Sequence, residues 1–315
     1  MKTILFLWIV LISLSVVAQK RTITVATDGS GDYNSVQAAF DAIPSGNIKP
    51  ITIFVRKGTY KERLVLETDK NFVSLIGEDK LTTLLTFDNH TGKRLANGDT
   101  INTRTSASFF IYANDFTAEN ITFENNAGFT AGQAVAVFAN GDRLKFLNCR
   151  FVGFQDVLYC SGVGSRQFYY DCYIEGTTDF IFGPSTAVFQ NCRIHSKKNS
   201  HVTAASTPPE VKYGFVFFDC TLTADETTGK VSLGRPWKPY ASVTYIRCRM
   251  DGHIIPKGWN NWRNPANEQT ARFAEYESTG TGGKADERVR WIKQLTVEEA
   301  QVFTLKNIFG DWQPM

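Results

Sequence analysis

The chain has 315 residues, 43% of them hydrophobic and 21% charged, with a formal net charge of +3 and six cysteines. So small a charge excludes the basic footprint of a nucleic-acid-binding protein. No Pro/Ser-rich stretch, charge block or low-complexity tract interrupts the chain, which argues against linkers and for one domain.

Residues 1–18 open with Lys2, run apolar to Ala18 and end in the small-residue word Val16-Val17-Ala18 before Gln19. This pattern predicts a secretory signal rather than a membrane span, and no cysteine at the cleavage point offers a lipid anchor. The expectation is a mature domain of residues 19–315, secreted or periplasmic, without membrane attachment.

Next along the chain, residues 35–44 place Val36, Ala39, Phe40 and Ile43 at helical spacing and suit an N-terminal lid. From there the chain breaks into short β-rich words separated by Gly, Asn and Asp, with no helix-length amphipathic segment between them. Five cysteines, Cys149, Cys172, Cys192, Cys220 and Cys248, share one frame: a polar residue, Cys, any residue, then an apolar one. Asn120 is read in the Cys place of an earlier copy, and the successive spacings are 29, 23, 20, 28 and 28 residues.

Strand words repeating at this period without helices predict a solenoid with rungs about 4.8 Å apart. The handedness of parallel crossovers makes it a right-handed parallel β-helix. A β-sandwich is the alternative, but Asn140-Gly141 is the only good hairpin signal. At the far end Thr296 and Glu299 have capping-box spacing, so short helices are expected to cap both ends.

In such a coil the five cysteines stack inward. Cys172 and Cys192 on neighbouring rungs fit either a disulfide or two free buried thiols; for the others free thiols are expected. Neither arrangement implies a catalytic thiol.

Several kinds of hydrolytic site are missing. There is no Gly-x-Ser-x-Gly elbow, His90, His195, His201 and His253 show no zinc spacing, and Gly280-Thr281-Gly282-Gly283-Lys284 is followed by Ala285 where a phosphate loop needs Ser or Thr. What remains is a pair of carboxylates, Asp156 in Gln155-Asp156-Val157-Leu158-Tyr159 and Asp179 in Asp179-Phe180-Ile181-Phe182-Gly183, 23 residues apart. One period returns the chain to the same lateral place on the next rung, so the two acids can share a cleft.

Two such acids can ligate a metal, cleave a glycoside, or act as nucleophile and acid in acyl transfer. Gln133 and Gln155 offer uncharged amide donors suited to an oxyanion, and Arg235 offers a bidentate grip on a carboxylate. This set fits acyl transfer better than calcium binding. Each residue has a plainer reading, as turn aspartate, polar ladder or surface cation; their joint occurrence carries the argument.

Taken together, these words resemble the pectin methylesterases, aspartyl esterases that remove methyl groups from pectin. The likeness runs from Ile23 through Trp312 and includes Gly58-Thr59-Tyr60-Lys61-Glu62, Ile121-Thr122-Phe123-Glu124-Asn125, the words around Gln133, Asp156 and Asp179, and Leu233-Gly234-Arg235-Pro236-Trp237. The resemblance implies Asp179 as nucleophile, Asp156 as general acid and then base, Gln133 and Gln155 as oxyanion donors, and Arg235 as the group that orients Asp179. It further implies Thr103, Tyr159, Phe182 and Trp237 as cleft residues contacting substrate, together with Gln133 and Arg235.

The implied partner is methyl-esterified pectin (homogalacturonan), acted on by a monomer without metal or cofactor. Two departures stand out: Val157 replaces the family's usual threonine, and the loop Ala127-Gly128-Phe129-Thr130-Ala131 differs from common versions. Backbone-cleaving enzymes on the same coil and a noncatalytic carbohydrate-binding protein are the competing functions.

Overall fold

The structure, a computed structural model, describes residues 22–315; the expected leader of residues 1–18 lies outside the described residues. Three parallel sheets of 11, 8 and 7 strands run along a right-handed β-helix. One rung consists of Arg166–Tyr170 in the large sheet, Tyr173–Gly176 in the second and Ile181–Gly183 in the third. The next rung, Thr186–Gln190, Arg193–Ser196 and His201–Ala205, pairs with it in register.

Alternation of side chains places one face of every strand inside the coil. In Ile51–Val55, for instance, Ile51, Ile53 and Val55 are buried while Thr52 and Phe54 are only partly covered. Inside, rings at equivalent positions stack rung on rung: Phe146 on Tyr169 at 4.8 Å, Tyr169 on Phe189 at 4.7 Å, Phe189 on Phe217 at 4.6 Å and Phe217 on Tyr245 at 4.4 Å. These separations match the rung spacing, so strand pairing and ring stacking reinforce the same register.

The polar residue before each of the five repeat cysteines makes the turn between the large and second sheets. Asn148, Asp171, Asn191 and Asp219 all have φ between 50° and 56°, a left-handed conformation that Asn and Asp adopt at less cost than other side chains. This corrects the earliest copy of the repeat. Asn120, at φ 57°, stands in the place of Asn148, to which it is hydrogen-bonded at 2.7 Å, and Ile121 takes the cysteine position. The left-handed turn requires the polar residue, whereas the inward position accepts any apolar side chain of suitable size.

All six cysteines, Cys172 and Cys192 included, are free and buried. The five thiols of the repeat donate to backbone carbonyls, as from Cys172 to Tyr170 at 3.4 Å and from Cys192 to Gln190 at 3.5 Å, while Cys160 pairs with the Tyr169 hydroxyl at 3.7 Å. Burial pushes Cys149 and Cys160 up to about 12, which keeps both as inert thiols.

Helix Val36–Asp41, with Ser35 accepting from the Ala38 amide, buries Val36, Ala39 and Phe40 at the N-terminal end, where Phe40 stacks on Phe109 at 5.5 Å. At the other end, helix Val297–Gln301 starts with the anticipated capping box of Thr296 and Glu299, but none of its residues is buried. The following helix, Leu305–Phe309, inserts Ile308 and Phe309 against Phe168, Val188 and Val216 on the outer face of the large sheet. The C-terminal helices therefore clamp a flank. The last rung is instead covered by Trp259, Phe273 and Trp291 and by a buried Arg288–Glu275 pair at 2.8 Å.

Candidate active site

The outer face of the third sheet carries one side chain per rung in register: Phe110, Phe138, Tyr159, Phe182, Ala204 and Arg235. A cleft of about 490 Å³ opens over this row. All nine residues singled out in the sequence line it: Thr103, Gln133, Gln155, Asp156, Tyr159, Asp179, Phe182, Arg235 and Trp237. Asn102, Arg104, Ala204 and Trp262 complete the walls, and sequence reasoning did not reach them. Arg104 adjoins Thr103 and so was within reach; Trp262 belongs to a turn-rich segment that carries no strand word.

Asp156 and Asp179 each stand two residues before paired positions, Leu158 and Ile181, so they occupy equivalent sites on consecutive rungs. Both are left-handed, at φ 63° and 51°, where the chain turns into the third sheet. Their amides continue the ladder by donating to Thr178 O at 3.1 Å and His201 O at 2.8 Å. Holding each aspartate in this conformation turns its carboxyl out of the row of inward side chains.

Gln133 and Gln155 face each other on adjacent rungs as an isolated bridge. Between this bridge and the pair Val137–Leu158 one strand contains an extra residue, and the amides of Ala136 and Val137 both donate to Val157 O. That is a β-bulge next to the site, and it re-aims the side chains before it. Val157 itself is fully buried in the core, so its methyl replaces a hydroxyl inside the coil and leaves the cleft unchanged.

Buried Asn125 ties the neighbouring segments together. Its amide donates to Asn89 O at 2.8 Å and Val135 O at 2.9 Å, linking the loop before Thr103 to the strand after Gln133. Thr103 begins the 3₁₀ turn Thr103–Thr105, capped by Asn102, and shares a hydroxyl hydrogen bond of 3.1 Å with Thr91.

Arg235 grips Asp179 with both edges of its guanidinium, Nε to Oδ1 at 3.0 Å and Nη2 to Oδ2 at 2.7 Å. The flat face of the same guanidinium lies 3.6 Å from the Trp262 ring centroid. A glycine must precede it, because a Cβ on Gly234 would lie 2.0 Å from Thr203 Oγ1 on the neighbouring rung. Tyr159 and Phe182 stack at 4.3 Å and meet Trp237 edge-on at 6.3 and 6.0 Å, forming an aromatic wall.

Burial dominates the electrostatics. It raises Asp179 above the ordinary carboxylate value, with Arg235 opposing the rise. It raises Asp156 much further, with the Asp179 charge adding to the effect and Arg235 and Gln155 opposing it. With rising pH, Asp179 therefore loses its proton before Asp156 does. At Asp179 the arginine favours the ionised form, and desolvation outweighs it in setting the direction of the shift. His201, behind Arg235, is pushed down to about 4 by burial and by the arginine charge, so it is neutral at pH 7.

Chemically the site offers two carboxyls of unequal acidity, one held bidentately, beside two neutral amides and an aromatic wall. A model of the pectinesterase family matches residues 22–311. The chain is 40% identical to Pectinesterase 31 of Arabidopsis thaliana over 294 residues, 91% of each chain. It is 38% identical to a probable pectinesterase/pectinesterase inhibitor of Brassica napus, of which it spans 51%. Among solved structures it resembles the pectin methylesterase from carrot, with a TM-score of 0.84 and 32% identity over 91% of this chain and 92% of that one. It also resembles a pectin methylesterase solved in complex with a hexasaccharide, with a TM-score of 0.83 and 28% identity over 95% and 99%. With these matches spanning nearly all the described residues, the chain belongs to the pectinesterase family of carboxylic ester hydrolases.

Proposed function

We propose that the chain hydrolyses the C6 methyl esters of polygalacturonate, giving de-esterified pectin and methanol, with Asp179 as nucleophile and Asp156 as acid and then base. The observation that carries this reading is the bidentate Arg235–Asp179 contact one rung from a carboxyl whose proton is held more tightly.

Ionised Asp179 attacks the ester carbonyl carbon, and the carbonyl electron pair moves to oxygen. The Gln133 and Gln155 amides donate to that oxyanion, where fixed donors are worth far more than water. As the intermediate collapses, the bond to the methoxy oxygen breaks and Asp156 supplies the proton that makes methanol. An anhydride now joins Asp179 to the sugar carboxyl. Ionised Asp156 takes a proton from water, the hydroxide adds to the sugar carbonyl, and Asp179 leaves as carboxylate. Two like residues thereby begin the cycle in opposite protonation states, as the order of their acidities requires.

The aromatic wall of Tyr159, Phe182 and Trp237 is suited to a sugar ring, and Thr103 and Arg104 also line the cleft, the Arg104 guanidinium 6.0 Å from the Tyr159 ring centroid. The leader read at residues 1–18 supports export to the medium or periplasm, and the protein is taken to act as a monomer. N-terminal sequencing of exported protein should begin at Gln19.

The test is methanol release from highly methylated pectin by wild type, Asp179→Asn and Asp156→Asn, with polymer size followed in the same tubes. Methanol from wild type alone, at unchanged chain length, supports the esterase. Shortening of the polymer without methanol points to backbone cleavage.

A further inference from the structure

Beside the cleft, where the chain enters the third sheet, residues 126–132 form a projecting loop. Asn125 Oδ1 accepts from the Ala127 amide at 3.1 Å, and the Ala131 amide donates to Gly128 O at 3.3 Å, so the loop is a closed turn. Gly128 sits at φ +107°, with open space where a Cβ would lie, and lets the chain reverse.

At the tip stands Phe129, 51% exposed. A single exposed ring is ordinary, but this one belongs to a cluster. Phe129 meets Phe154 edge-to-face at 5.7 Å, and Phe154 immediately precedes Gln155 in the cleft. Lys197 braces Phe154 from behind: its Nζ lies 4.2 Å from the ring centroid and donates to Glu175 at 2.9 Å. Lys198 lies 5.7 Å over Phe129 and has no carboxylate partner among the described residues. The aromatic step therefore reaches the cleft through Phe154, the residue before Gln155, and carries an unneutralised ammonium over its outer ring, Phe129.

We propose that Phe129, Phe154 and Lys198 form a rim subsite for a galacturonate unit whose carboxylate is free, lying one or two sugars from the ester under attack. The proposal rests on the esterase reading above for its polymer. The ring edges take the C–H face of the sugar, and Lys198 pairs with the carboxylate. A methyl ester gives that ammonium nothing to pair with. The rim thus favours polymer already partly de-esterified, which is the product the site itself makes.

Lys198→Gln and Phe129→Ala, in the full chain, are compared with wild type on two pectins, one almost fully methylated and one partly de-esterified. Methanol release gives kcat/KM, and calorimetry gives the Kd of a de-esterified galacturonate hexamer. Loss of one partly exposed charge or ring contact should lower the preference for the partly de-esterified pectin by roughly threefold to tenfold, through KM, in both variants. The hexamer Kd should rise by a similar factor. Unaltered preference and unaltered hexamer Kd in both variants, at unchanged melting temperature, overturn the subsite. No methanol from wild type on either pectin sinks the esterase reading instead, and the hexamer Kd values then decide the subsite alone.

Discussion

The guanidinium of Arg235 is held on two sides at once: Trp262 lies 3.6 Å beneath its plane, while both oxygens of Asp179 bind its edge at 3.0 and 2.7 Å. The tryptophan fixes the plane in which the bidentate grip operates, which makes it a positioning residue for Asp179, the proposed nucleophile. Trp262→Ala should lower kcat by about 3- to 30-fold, the range of a desolvated cation–π contact. Arg235→Lys should cost more, because an ammonium is a point charge without a fork.

Removing the arginine also has a signed effect on pH dependence. Burial raises Asp179 and Arg235 opposes the rise, so Arg235→Ala should move the acid limb of kcat/KM to higher pH. A pH–rate profile with an unmoved acid limb would exclude this role for Arg235.

In wild type the acid limb should lie above the ordinary aspartate value of about 3.9, since desolvation outweighs the arginine at Asp179. Activity should fall again at higher pH as Asp156 loses the proton that the proposed mechanism has it donate. Asp156→Asn should reduce steady-state methanol release by about 100- to 10,000-fold. On an ester whose leaving group needs no proton, the same variant should still give an initial burst, because its acylation step survives while deacylation stalls. Rapid-mixing measurement of the released group distinguishes burst from linear release.

Gln133 and Gln155 bridge adjacent rungs and line the cleft beside both acids. If their amides meet the oxyanion only after it forms, Gln133→Ala and Gln155→Ala should each lower kcat by about 100- to 1,000-fold and leave KM nearly unchanged. A rise in KM at constant kcat would assign them to substrate binding. Initial-rate kinetics on one defined pectin separates the two outcomes.

Away from the cleft, His253 is 6% exposed, and neither ring nitrogen has a hydrogen-bond partner among the described residues. Burial pushes it down to about 4, against about 6.5 in an unfolded chain. Between those values the unfolded state binds the extra proton, so stability is full above pH 6.5 and is lost as pH falls towards 4, by up to roughly 3 kcal/mol. His253→Leu should therefore show a smaller drop in melting temperature from pH 7 to pH 4 than wild type. Parallel melting curves across that range would remove His253 as the cause.

The amino-acid sequence alone determined whatever recurs with the rung. Short alternating strand words, polar turn residues before the cysteines and the 23-residue interval from Asp156 to Asp179 are local consequences of one turn of the coil. They therefore announce both the fold and the pairing of the two acids. The one-residue error at Asn120 shows the limit of such reading: whether a residue faces inward or makes the left-handed turn depends on register, which the paired strands decide.

Tertiary structure decided what has no period. Trp262 reaches Arg235 from a segment outside the strand repeat, and Ile308 and Phe309 found an apolar flank on the large sheet instead of an open rung. It also brought Arg235 to Asp179 across 56 residues of chain and set how much water is removed from around both carboxyls, which no sequence displays. Desolvation belongs to the folded cleft, and there it outweighs the ion pair.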